Sequence, residues 1–284
     1  MSGTEGVDQS FIKAGVMGWP VAHSRSPSVH GFWLKTYGIN GSYERLPVKP
    51  EDLAGALRAL PEQGYAGVNL TVPHKEAAMT IVDEISLEGR RIGAVNTVFV
   101  TDGGRLTATN TDGYGFLASL KNAAPELDLK SGRVIVLGAG GAARAICVAL
   151  QDAGAPEICI INRTNARAET LVHDLGGTSN VAPWAERAGY LKGANLLVNT
   201  TILGMKGQAT LDLDIRSLPP EATVADIVYV PLDTPLLAAA RARGNTVVNG
   251  LGMLLFQAQP GFEGWFGKRP EVNAALRAHV LAAG

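Results

Sequence analysis

The spacing of apolar and polar positions changes several times along the chain, and each change predicts an element. A short apolar run, Ile12–Gly18, reads as a strand. Ser26-Pro27 then predicts a helix through Tyr37, with serine at the cap and proline at the first helical position. Ser42–Val48 alternates as a strand, and Pro50-Glu51-Asp52 predicts a helix start with acids in its first turn. Gly67–Leu70 is again strand-like, and a helix is expected after Pro73. Thr97–Val100 and Arg105–Thr109 flank Asp102-Gly103-Gly104, a hairpin signal. Residues 1–10 read as a loose tail.

After Asp112 the pattern settles into an alternation of strand and helix. A helix-like link through about Leu120 leads to the buried-strand run Arg133–Leu137 and a glycine-rich turn. Strand-like Glu157–Ile161, Asn195–Val198, Thr223–Val228 and Thr246–Val248 then interleave with helical Ala166–Asp174 and Pro235–Arg243. Such alternation argues for a parallel, doubly wound sheet. Helical stretches Leu251–Gln259 and Pro270–Ala282 end the chain.

The turn after Leu137 carries the first chemistry. Gly138-Ala139-Gly140-Gly141-Ala142-Ala143 has the G-x-G-x-x-G/A spacing, between a predicted strand and a predicted helix. The first glycine makes the turn, the second lets the backbone reach a pyrophosphate, and the small last residue lets helix and strand pack. At the end of the next strand, NAD binders place a carboxylate against the ribose 2′-hydroxyl. This chain has Asn162-Arg163-Thr164 there, with Arg167 one helical turn later. Two guanidiniums suit a 2′-phosphate, so the expectation is NADP; two solvated arginines at a helix start are the plainer alternative. The expected fold is α/β. A substrate-binding catalytic domain covers residues 1–115, a Rossmann-type NADP-binding domain 116–250, and C-terminal helices 251–284 return to the substrate domain.

Composition narrows the class. The 284 residues suffice for two domains, and a formal charge of -1 gives no electrostatic footprint for nucleic acid or an anionic membrane. Glycine numbers 34, well above the usual ~7%, so many turns must tolerate close backbone approach. Cys147 and Cys159 sit in apolar runs and read as core thiols. No apolar run approaches ~18 residues and no signal-like N-terminus is seen, so a cytoplasmic protein is expected. The five histidines are scattered without ligand-like spacing, so no metal site is expected.

The first half carries three stretches of high polar density: GVMGWPVAHSRSPSVH, GVNLTVPHKE, and AVNTVF with ATNTDGYGF. Ser24 and Ser26 precede a helix start, where hydroxyls, backbone donors and the dipole favour an anion such as a carboxylate. Ordinary capping is an equal alternative for Ser26, whereas Ser24 is not needed for a cap. Lys75 falls in the first turn of the helix expected after Pro73, where the macrodipole disfavours a cation. A lysine held near neutral pKa by dipole, partial burial and a carboxylate partner can exchange protons with a hydroxyl. Asp112 is the candidate partner; a surface lysine and a helix-capping aspartate form the competing reading.

Together with GAVNT, NTDGYG, GAGGAARA, NRTNARA, NTTILGM, DIVYVPLDTPLL and GLGMLLFQ, these stretches resemble the shikimate dehydrogenase family, in order, from Gly15 to Gln257. The resemblance implies reduction of 3-dehydroshikimate to shikimate with NADPH. It implies that Ser24 and Ser26 hold the substrate carboxylate, with Thr71 and Tyr229 nearby. It implies that Lys75 and Asp112 are the catalytic pair, that Asn96 binds ring hydroxyls and that Gln257 closes the far side. Gly138, Ala139, Gly140, Gly141 and Ala142 would take the pyrophosphate, and Asn162, Arg163, Thr164 and Arg167 the adenosine phosphate. Ile227, Gly250 and Met253 would line the nicotinamide end.

The chain departs from the family pattern at His74, where a bulky apolar residue is usual, at Thr201 in place of serine, and in FEGWFG. Packing or solvent contact is the expectation for His74. His30 and Trp33 are expected as core or lid contacts. A quinate/shikimate dehydrogenase using NAD is the nearest alternative, and a dinucleotide-sensing protein without turnover an alternative of another class. Small-molecule substrate is the expected partner, with monomer and homodimer both open.

Overall fold

The computed structural model describes residues 11–283, so the tail expected over residues 1–10 lies outside them. The chain divides into two compact units. One holds the residues up to Gly89, Ala94–Thr109 and those from Ala258 onward; the other holds Arg90–Gly93 and Asn110–Gln257.

In the first unit the chain runs β1 (Ile12–Gly18), α1 (Ser26–Tyr37), β2 (Gly41–Pro47), α2 (Leu53–Arg58), β3 (Tyr65–Leu70), α3 (His74–Ala77), β4 (Glu84–Ile85), the start of α4 (Leu87–Ile92, from Arg90 on in the second unit), β5 (Thr97–Val100) and β6 (Leu106–Thr109). The sheet order is β2-β1-β3-β5-β6-β4. β1 pairs in parallel with β2 and β3, while β3–β5 and β5–β6 are antiparallel. Leu53, Leu57, Leu60, Val68, Val98 and Leu106 fill one core beneath this sheet.

The second unit adds α5 (Asp112–Ala123), β7 (Arg133–Leu137), α6 (Gly141–Asp152), β8 (Ile158–Ile161), α7 (Asn165–Leu175), β9 (Ser179–Ala182), β10 (Ala194–Asn199), β11 (Thr223–Asp226), α8 (Pro235–Ala242), β12 (Thr246–Val248) and the first part of α9 (Gly250–Phe266), whose residues from Ala258 on belong to the first unit. α10 (Ala274–Ala282) belongs to the first unit, where it packs on α1. All pairings in the second sheet are parallel, in the order β12-β11-β10-β7-β8-β9. The strand order therefore reverses between β7 and β10, the doubly wound arrangement whose crevice at the strands' carboxyl ends receives a ligand. Helices cover both faces, so β7 is apolar after Arg133: Val134, Ile135, Val136 and Leu137 are all fully buried. Each contributes about 1.5–3 kcal/mol by leaving water.

Some expectations need correction. Ser26 does not cap α1: it is the first helical residue, Arg25 occupies the cap without a side-chain hydrogen bond, and the Ser24 hydroxyl accepts the Ser26 N–H at 3.3 Å. Ser24, expected to be dispensable for the helix start, thus serves it. The helix after Pro73 is a single four-residue turn, continued only by a 3-10 turn over Ala78–Thr80. A macrodipole argument at Lys75 carries little weight in so short a helix. α9 does not stop at Gln259 but runs through Pro260 to Phe266. Burial of Phe262, Trp265 and Phe266 offsets the lost backbone bond, which costs about 3 kcal/mol. The last helix starts at Ala274 rather than Pro270, because the Asn273 side chain accepts the Leu276 N–H at 3.0 Å and caps it. β4 and the polar edge strand β9 carry no clear period and were not expected from the pattern.

Candidate active site

In the first unit the polar residues gather around the carboxyl ends of β1 and β3 and the start of β5. Ser24 and Ser26 sit half-buried at the start of α1, and the Ser24 carbonyl accepts from Arg45 through Nη2 (2.8 Å) and Nε (3.2 Å). Thr71 follows β3 directly, its N–H bonded to the Met17 carbonyl at 2.9 Å. The half-buried Lys75 is anchored through its carbonyl, which accepts the Val95 N–H at 2.9 Å. Next to Val95 stands Asn96, 2% exposed, whose carbonyl accepts the Leu70 N–H at 2.8 Å. These bonds bring the ends of β3, α3 and the approach to β5 together, so Thr71, Lys75 and Asn96 share one neighbourhood.

His74 is buried and its Nε2 lies 2.8 Å from the Val48 carbonyl, which is the packing role expected of it. His30 and Trp33 are fully buried core residues. Burial lowers the pKa of His30 from 6.5 to about 3; the neighbouring Asn69 side chain opposes the shift, but neither ring nitrogen reaches a partner with acceptable geometry.

The second unit holds the remaining residues. Gly138 takes φ +111°, and a Cβ there would stand 2.5 Å from the Thr200 Oγ1, so only glycine fits this turn. Thr200 Oγ1 in turn donates to the Leu137 carbonyl at 2.7 Å, tying the loops after β7 and β10 at the point where strand order reverses. A Cβ added to Gly140 or Gly141 would meet nothing within 4 Å. The start of α6 is thus an open cradle of backbone N–H groups, without an acid in its first turn, and fits a pyrophosphate. At the end of β8, Asn162 Nδ2 donates to the Thr164 carbonyl at 2.8 Å and Thr164 precedes α7 with no side-chain cap bond. Arg163 and Arg167 are exposed there, with no carboxylate in the first turn of α7; this donor set fits a 2′-phosphate.

Asp112 is the first residue of α5 and 4% exposed, and its N–H is held by the Asn110 Oδ1 at 2.9 Å. α5 lies so close to α9 that a Cβ on Gly115 would come within 2.8 Å of the Met253 carbonyl and 2.6 Å of the Gln257 Cβ. Gly250 donates to the Val228 carbonyl at 3.2 Å, and Ile227 and Met253 pack on the same apolar cluster. Ile227, Gly250, Met253 and Gln257 thereby lie together within this unit, beside the helix that Asp112 begins. The half-buried Tyr229 follows Val228 on the loop after β11.

Two groups of residues around these sites were not singled out in the sequence. The Asp226 carboxylate accepts from Asn199 Nδ2 (3.0 Å), the Val228 N–H (3.0 Å) and the Thr234 hydroxyl (2.7 Å), pinning the ends of β10, β11 and α8 to one another. Burial raises its pKa, against the opposing pull of those three bonds. Thr201 donates to the Asn199 Oδ1 at 2.7 Å, so the hydroxyl that replaces serine is in use. In the first unit Tyr43 and Asn69 join the Asn96 neighbourhood. The available signal was a polar residue inside or ending an apolar strand: Asn69 in GVNL, Asn199 after LLV and Asp226 after TVA.

No helix among the described residues is long and apolar enough to cross a membrane. A family model described as the shikimate dehydrogenase substrate binding domain matches residues 16–98, and one described as shikimate / quinate 5-dehydrogenase matches residues 119–204. The shikimate dehydrogenase (NADP(+)) of Paramagnetospirillum magneticum is 59% identical over 269 residues, covering 95% of this chain and 98% of the relative. The crystal structure of shikimate 5-dehydrogenase from Thermus thermophilus in complex with NADP(H) and shikimate is 40% identical, with a TM-score of 0.85 over 96% of this chain and 100% of that one. Quinate dehydrogenase from Corynebacterium glutamicum in complex with NAD is 29% identical, with a TM-score of 0.90 over 95% of this chain and 99% of that one.

Proposed function

The chain belongs to the shikimate dehydrogenase family, and from that premise we propose that it catalyses the reversible, NADP-dependent reduction of 3-dehydroshikimate to shikimate. The observation that carries this reading is likeness along nearly the whole chain to an NADP(+)-dependent shikimate dehydrogenase, joined to two clusters of suitable side chains. We assign residues 1–115 to the substrate, 116–250 to the cofactor and 251–284 to helices that return to the substrate part.

Bound along the loops after β7 and β8, NADPH would supply the hydride. The residues of this chain do the rest. Gly138–Ala142 cradle the pyrophosphate, Asn162–Arg167 take the 2′-phosphate, and Ile227, Gly250 and Met253 flank the nicotinamide. Ser24 and Ser26, with Thr71 and Tyr229, hold the carboxylate; Asn96 holds ring hydroxyls and Gln257 closes the far side. In reduction Lys75 donates a proton to the oxygen that develops from the C3 carbonyl, and in oxidation it accepts one from the hydroxyl. Asp112 is the acid partner of Lys75 in this exchange.

Quinate as substrate is the competing reading, favoured by the likeness to the quinate dehydrogenase that binds NAD. The exposed Arg163 and Arg167 and the absence of a carboxylate in the first turn of α7 weigh against NAD. Two free, buried cysteines suit a reducing cytoplasm, where we place the reaction. Initial rates with shikimate and quinate, each with NADP and with NAD, test the reading. The highest kcat/KM is expected for shikimate with NADP; a preference for quinate with NAD would replace it, and no turnover of any pair would leave a binding protein.

A further inference from the structure

Behind Asn96 lies a chain of side chains, all in the first unit, to which the reaction as described assigns nothing. Tyr43 on β2 is buried, and its hydroxyl donates to Asn69 Oδ1 at 2.6 Å. Asn69 Nδ2 donates to the Asn96 carbonyl and to Thr97 Oγ1, both at 3.1 Å. The Thr97 hydroxyl then donates to Asn96 Oδ1 at 3.0 Å. A phenol and a threonine hydroxyl each have one proton, and an amide has distinct donor and acceptor ends, so each link dictates the direction of the next. The bond from Thr97 turns the Oδ1 end of Asn96 towards the start of β5 and its Nδ2 end the other way.

We propose that Tyr43 is a positioning residue that fixes the direction of this relay, and through it makes Asn96 a donor to a ring oxygen of the substrate. The proposal rests on the reading above, in which Asn96 meets the ring. Tyr43 is well placed for the task because it cannot turn. The His30 ring lies flat against it, with 3.8 Å between centroids and 1° between planes, and Trp265 tilts over it at 6.0 Å. Burial raises the pKa of Tyr43 well above 10, so it stays a neutral donor across the working pH range.

Tyr43→Phe keeps the stacked ring and removes the first proton of the relay, leaving the half-buried Asn69 oxygen without the phenol's proton. The KM for shikimate is expected to rise about tenfold to a hundredfold, the usual range for orphaning a hydrogen-bond partner, with kcat and the KM for NADP unchanged. Thr97→Val cuts the relay one link later and gives the same split, while Thr97→Ser restores the wild-type KM. Shikimate analogues lacking the C4 or the C5 hydroxyl separate this from general loosening of the fold. The penalty should vanish for the analogue that lacks the oxygen facing Asn96. Equal penalties on shikimate and both analogues, or a fall in kcat with both KM values raised, would overturn the relay. If the wild-type enzyme oxidises shikimate but the variants keep its KM, the relay alone is wrong. If the wild-type enzyme fails to oxidise shikimate, the underlying reading falls and the relay with it.

Discussion

His30 shows how a single side chain can run against the general rule that buried polar groups are bonded. Its ring is fully buried among Tyr43, Trp33, Phe262 and Trp265, of which only Tyr43 titrates, and that far above neutral pH. The folded pKa of about 3 lies below the usual 6.5. Between those values the unfolded chain binds a proton that the folded one does not, so folded stability falls as pH drops from about 6.5 towards about 3. The contribution is complete above the upper value, and at full effect the loss is roughly 4–5 kcal/mol, an upper bound from the shift itself. His30→Phe keeps an aromatic plate and removes two orphaned nitrogens. It should raise stability near neutral pH by about 1 kcal/mol and flatten the acid limb by on the order of 1 kcal/mol per pH unit. Denaturant unfolding of both proteins from neutral to mildly acid pH checks this; parallel curves would show that the imidazole takes up its proton equally in the folded and unfolded states. That His30 belongs to the core was foreseeable from its place on the helix. Its lack of hydrogen-bond partners was not, because partners come from β2, β3 and α9, remote in sequence.

At the scale of elements, the strand-to-helix turns of the second unit could be read almost directly. The G-x-G-x-x-A spacing between an apolar run and an amphipathic one leaves few alternatives, and β7 and α6 lie where the pattern puts them. Gly138→Ala would force a side chain onto Thr200 at φ +111° and should cost about 1–3 kcal/mol, with a raised KM for NADP. An unchanged melting temperature and KM would show that the turn tolerates a Cβ. At the start of α7, Arg163→Ala combined with Arg167→Ala should raise the KM for NADP at least about tenfold, one lost charged contact being worth roughly 1.5–3 kcal/mol, and leave that for NAD unchanged. Equal losses with both cofactors would assign the arginines to something other than the 2′-phosphate. Elsewhere local signals misled. Pro260 reads as a helix stop, yet tertiary burial of three rings carries α9 past it. The turn at Lys75 was expected to have a helix's dipole and is four residues long, because a proline start says nothing about length.

For the molecule as a whole, alternation of strand and helix pointed to a doubly wound sheet, but not to which strands neighbour one another. The reversal between β7 and β10 depends on crossovers that periodicity does not encode. The ordered motifs identified most of the candidate residues, since each motif sits where a strand ends or a helix begins. Tyr43, Thr97 and Asp226 escaped because their value lies in partners brought to them by the fold. The reading of the molecule finally depends on one proton donor. The most direct test is the turnover of Lys75→Ala at saturating shikimate and NADP, alongside the wild-type enzyme. The mechanism predicts a fall in kcat of about two to four orders of magnitude with NADP binding intact. A variant that keeps most of the wild-type kcat would contradict it.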